Sequence, residues 1–177
     1  GRMMCGFVWL GMKVGMHKQT ANRLLEPWQF IHVIMTATEF DNFFLLRDHK
    51  DAQPEIRALA MVMKAAMQTS KPKPLRWFQW HLPYVTAAER RDFAPELLCK
   101  LSAARCARVS YLTHDGQTPV MNKDLDLYDR LVGANPIHAS PVEHQATPAS
   151  NPDAWSGNFR GWNQYRKTVE QQMKGNK

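Results

Sequence analysis

Between Trp28 and Arg47 the apolar pattern changes period, and that change limits the possible folds more than any other feature of the chain. From Trp28 to Thr38 the residues alternate, with Phe30, His32, Ile34 and Thr36 on one side and Ile31, Val33, Met35 and Ala37 on the other. A period of two predicts a strand. Thr38 then opens a helix, with Asp41 three residues on as a capping box. In that helix Phe40, Phe43, Phe44 and Arg47 recur at i, i+3, i+4 and i+7 and share one face. A guanidinium on an aromatic stripe either snorkels to water from the helix end or meets an anion such as a phosphate or an acidic heterocycle. Spacing alone leaves both readings open.

Prolines bound the other helices. His17 to Glu26 reads as a helix with Ala21, Leu24 and Leu25 inward and Gln19, Asn22, Arg23 and Glu26 as a polar stripe, ended by Pro27. Pro54 opens a helix running to about Ser70, and Pro95 opens one to Tyr111 whose Ser102, Ala103, Ala104 and Ala107 suit close packing. Between them, Lys71 to Tyr84 is a loop with Trp77, Phe78, Trp80 and His81, able to stack a planar ligand or to cover a core. Thr86 to Arg91 is a helical turn, His114-Asp115-Gly116 a turn, and Lys123 to Val132 an amphipathic helix. The stretch 133–161 is loop-rich, and Trp162 to Lys174 is a final helix. Many helices around little strand signal predict an α+β domain with helices packed on a small sheet.

At 177 residues the chain suits one domain with a real core. No apolar run is long enough for a membrane span, and a cytoplasmic location is expected. Cys5, Cys99 and Cys106 form no CxxC; Cys99 and Cys106 lie about 10 Å apart along a helix, too far for a disulfide. All three read as small core residues in a reducing compartment. The net charge of +7 suits polyanionic partners, but the basic residues are dispersed, and nucleic acid ranks below phosphorylated small molecules. His138, Glu143 and His144 do not make a metal-ligand pattern, and no metal is expected.

Several segments together resemble one family. His17-Lys18-Gln19-Thr20-Ala21-Asn22-Arg23-Leu24-Leu25-Glu26-Pro27, the run Thr36 to Arg47, and Asp51-Ala52-Gln53-Pro54-Glu55-Ile56-Arg57 resemble flavin-dependent thymidylate synthases of the phage type. So do Ala104-Arg105-Cys106-Ala107-Arg108-Val109-Ser110-Tyr111, His138-Ala139-Ser140-Pro141-Val142-Glu143-His144 and the closing Asn158 to Lys167. The resemblance implies one such domain over 1–177, FAD as cofactor, and methylation of dUMP to dTMP with methylenetetrahydrofolate and NADPH as cosubstrates. It implies a homotetramer with shared active sites, and neither nucleic acid nor membrane as partner.

Carried onto this sequence, the family assigns Arg47 to catalysis, by holding the uracil and stabilising its developing charge, and Arg23 and Arg47 to dUMP. It assigns Thr36, Ala37, Thr38, Asn42, Ser110, Ser140 and Glu143 to FAD. Two departures stand beside it. The family's Arg-His-Arg signature is absent, and the resemblance implies that it lies upstream of Gly1, so the domain is expected to be N-terminally incomplete. The blocks also run in a different order from the bacterial members, and Asp51 stands where those often carry histidine. The rival readings are a methylase for UMP or another pyrimidine nucleotide, and a noncatalytic FAD- or nucleotide-binding oligomerisation module.

Overall fold

The computed structural model describes residues 1–109, 112–113, 116–118 and 120–175. They form two compact units, Gly1–Val33 and Ile34–Lys177. In the first, helix α1 (Arg2–Lys13) packs on α2 (Lys18–Arg23), and a 3-10 turn follows at Glu26–Trp28. Gly15, at φ 92°, reverses the chain between the helices. The His17 ring caps α2 by accepting from Gln19 N at 3.3 Å. Ala21 is buried as expected, whereas Cys5 is exposed rather than a core residue.

The second unit is built around α6 (Pro95–Arg108), which follows α3 (Asp41–Arg47), α4 (Pro54–Thr69) and α5 (Glu89–Asp92). Proline opens α4 and α6, where its missing N–H leaves no helical bond unmade. Ser102, Ala103 and Ala104 are fully buried, and these small side chains let α7 (Met121–Val132) pack closely on α6. Leu98, Leu101, Tyr128, Val132, Val142, Tyr165 and Val169 complete the core, the last two from α8 (Tyr165–Gly175). Four short strands lie between α7 and α8. β1 (Ala146–Pro148) pairs antiparallel with β4 (Trp162–Gln164), and β2 (Trp155–Ser156) with β3 (Phe159–Arg160). The unit is therefore α+β, with small antiparallel sheets among helices. No helix among the described residues is long and apolar enough to cross a membrane.

Three expectations are corrected. Residues 29–37 form no strand, and Phe30, Ile31 and Val33 are exposed. Alternation only sorts side chains; a strand also needs a neighbour's backbone, and no described residue pairs with this one. The aromatic helix starts at Asp41 with Phe40 as its cap, because Thr38 is engaged elsewhere and no capping box forms. The last helix begins at Tyr165, since Trp162 to Gln164 are committed to β1. The expected turn at 114–116 falls partly outside the described residues.

Candidate functional site

The aromatic loop owes its shape to side chains reaching into it. Arg90 donates to Trp80 O at 3.0 Å and to Leu82 O at 2.7 Å. Ser102 donates to Pro83 O at 2.8 Å and Arg105 to Tyr84 O at 2.9 Å. Four of the five carbonyls from Trp80 to Tyr84 are thus held from α5 and α6, and Tyr84 is kept at φ 61°, a conformation a bulky residue seldom adopts. His81 forms a two-way backbone bridge with Ala146, tying the loop to β1.

Arg105 is the centre of this arrangement. Its side chain is 2% exposed, with Nη1 and Nη2 on the Glu89 carboxylate at 2.9 and 2.7 Å and Nε on Asp124 at 2.9 Å. Arg108 lies 2.7 Å from the second oxygen of Asp124, which is fully buried. The hydrogen bonds from Arg105 hold the Glu89 carboxyl down at about 2. Burial alone would lower the Arg105 guanidinium, but its bonds to Glu89 and Asp124 outweigh burial and raise it. Thr86 and Glu89 also exchange hydrogen bonds, the capping arrangement of a helix start.

Opposite the loop runs the segment 34–38, fixed without a sheet. Thr36 Oγ1 meets His144 Nδ1 at 3.0 Å, and Asn158 Nδ2 donates to Thr36 O. Thr38 N donates to Asn158 O at 3.3 Å, and Thr38 Oγ1 accepts from Arg160 N at 2.7 Å. Asn158 sits at the tip of the β2–β3 hairpin, where Gly157 supplies the positive φ of 63° a two-residue turn needs. The buried Gln164 ties the hairpin to the turn Ser140–Glu143, donating to Asn158 Oδ1 at 2.8 Å and Glu143 O at 3.1 Å. The Glu143 carboxylate pairs with Arg166, which also bonds Glu170 at 2.6 Å.

Between loop and segment is a groove of ≈ 360 Å³, walled by Ile34, Met35, Thr36, Ala37 and Phe40 on one side and His81, Pro83 and Tyr84 on the other. Burial holds both imidazoles below 6.5; the nearby Arg90 adds to this at His81, while at His144 the Glu143 charge opposes it without prevailing. Near pH 7 both rings are neutral. The groove is thus lined by Thr36, the neutral His81 and mostly apolar side chains, and the neutral His144 bonds the Thr36 hydroxyl.

The structure brings together part of the expected site. Thr36 and Ala37 line the groove, and Thr38 and Glu143 belong to the hydrogen-bonded frame behind it. Thr38's hydroxyl and Glu143's carboxylate are spent on Arg160 and Arg166. Asn42 and Ser140 are exposed, and Ser110 lies outside the described residues. Arg47 is the exposed last residue of α3, where the helix-end reading put it, on the far end of a stripe whose phenylalanines are half-buried. Arg23 ends α2 in the other unit, exposed like the rest of its polar stripe.

Sequence reasoning singled out the loop that holds His81 and Tyr84 as able to stack a ligand or to cover a core, and missed His144, Asn158 and Gln164 as site-forming residues. His144 directly follows Glu143 in a quoted block and Asn158 opens another, so adjacency was a usable signal for those two. Among the described residues no group of three or more His, Cys, Asp or Glu is disposed to hold a metal ion. Cys99 and Cys106 are buried, and burial pushes both thiols up to about 12, so neither supplies a thiolate near neutral pH. Comparison with protein-family models, with curated proteins and with solved structures finds no match to this chain.

Proposed function

We propose that this chain is the FAD- and dUMP-binding part of a flavin-dependent thymidylate synthase, transferring a methyl group from methylenetetrahydrofolate to dUMP with NADPH as reductant. One observation carries the reading. Two segments more than a hundred residues apart, each resembling an FAD-contacting block of that family, meet through the Thr36–His144 hydrogen bond and the hairpin bearing Asn158. The groove beside them takes one ring system and is too small for a whole dinucleotide. That fits a cofactor shared between copies of the chain, the homotetramer the resemblance implies.

Bound there, FAD would supply the redox chemistry. The chain's own residues bind and orient: Thr36 and Ala37 as wall, the neutral His81 and His144 as hydrogen-bonding partners, Phe40 and Tyr84 as apolar contacts that exclude water. Arg47, with no partner among the described residues, is a cation available to a uracil ring or phosphate, and Arg23 to the nucleotide. Arg47 is exposed and is not among the groove-lining residues, which favours a second reading, a noncatalytic flavin-binding module.

An FAD titration of the purified chain, followed by flavin absorbance and fluorescence quenching, tests the proposal. Saturable binding that weakens in Thr36→Val supports it. Absence of binding refutes the cofactor site. Binding without tritium release from labelled dUMP, in the presence of methylenetetrahydrofolate and NADPH, selects the noncatalytic reading.

A further inference from the structure

A second cavity, of ≈ 590 Å³, opens between α6, α7 and α8 and shares no lining residue with the groove. Its walls include Trp80, Val132 and Val169, with Tyr128 and Tyr165 set among them. Trp80 stands edge-on to Tyr165 at 5.9 Å and 89°, and Lys100 Nζ lies 5.4 Å over the Tyr128 ring, so both phenols are fixed in place.

The two hydroxyls meet at 3.0 Å in a buried contact. Two phenols bring two protons, and their contact uses one. The second meets no acceptor among the described residues. Burial raises both phenols above 10.0, so the proton is present throughout the neutral range. A buried donor without an acceptor is destabilising, and an oxygen brought by a ligand would supply the missing partner. The adjoining space is of the size that holds small ligands, with apolar side chains around the phenols and Glu96, Lys100, Asp129, Thr168 and Gln172 also among its lining residues. The buried Cys99 thiol in the wall stays protonated, so capture there is noncovalent.

We propose that this cavity is a binding site for a small aromatic molecule bearing a carbonyl oxygen, the ring packed among Trp80, Val132 and Val169 and the oxygen accepting from the Tyr128–Tyr165 pair. Acetophenone and α-methylstyrene test it, since they differ in shape only by C=O against C=CH2. Calorimetric titration of the whole chain is expected to show saturable binding of both, with acetophenone tighter by about three- to ten-fold, the share of one neutral hydrogen bond. The double variant Tyr128→Phe, Tyr165→Phe should bind the two probes equally. Thr168→Trp, on the exposed rim, should block both. Equal affinities in the wild-type chain, no saturable binding, or binding indifferent to Thr168→Trp overturns the proposal. If the double variant does not fold, the wild-type pair and Thr168→Trp decide alone.

Discussion

Removing the Asp124 carboxylate should be among the most damaging single changes in the chain. That carboxylate is fully buried and faces two guanidinium groups, Arg105 Nε at 2.9 Å and Arg108 Nη2 at 2.7 Å, which are 2% and 13% exposed. Asp124→Ala leaves both cations without it, and breaking such a pair from one side costs about 3–5 kcal/mol. For a chain of this length that lowers the melting temperature by roughly 6–20 °C. The double variant Asp124→Leu, Arg105→Met should cost less than the sum of its parts. It removes one cation together with the carboxylate and so leaves less charge unpaired than Asp124→Leu alone, and a coupling of about 1–3 kcal/mol is expected. Urea unfolding at pH 7, followed by circular dichroism, measures the four corners of that cycle and Asp124→Ala beside them. A cost below about 1 kcal/mol for Asp124→Ala, with an unchanged denaturant slope, would falsify the view that these charges are shut off from water.

Acid should weaken the same network in a defined window. Glu89 has a lowered carboxyl pKa, so its contribution is whole above 4.5 and is lost as pH falls toward about 2, an upper bound of about 3 kcal/mol. Glu89→Gln should flatten that part of the stability profile, and a profile identical to wild type between pH 5 and 2 would remove Glu89 as its cause. Under the proposed function, Arg47→Ala should weaken dUMP binding by about 1.5–3 kcal/mol, with incomplete rescue by lysine; an unchanged dUMP titration returns Arg47 to a solvated helix end. Gly161→Ala should destabilise the chain by about 1 kcal/mol or more, read by thermal unfolding. Gly161 holds φ 73°, and a Cβ there would sit 2.8 Å from Pro152 O; an unshifted melting curve would mean the turn is not formed as described.

Helices that carry their own punctuation could be read directly. Pro54 and Pro95 mark where α4 and α6 begin, and the small residues of α6 announced its close packing. The segment 29–37 could not be read, because alternation is satisfied equally by a strand and by an extended segment that finds no partner. The strands that do form, Ala146–Pro148 and Trp162–Gln164, are three residues each, too short to establish a period. The candidate site was half legible. Thr36, Ala37 and Glu143 stood in recognisable blocks, but nothing local reports that Asn158, 122 residues away, bonds the Thr36 carbonyl.

Apart from the His81–Ala146 bridge, Arg90, Ser102 and Arg105 hold the loop Trp80 to Tyr84 in a mould made of side chains and not in a backbone ladder. A ladder tolerates most substitutions because every residue carries the same amide. A mould does not, because each donor is one particular side chain. The groove's outline is therefore heritable through positions that touch no ligand: exchanging Arg90 for lysine would trade a two-pronged clamp for a single point and let Trp80 or Leu82 move. Change in what this groove accepts can begin in α5 and α6, behind its wall.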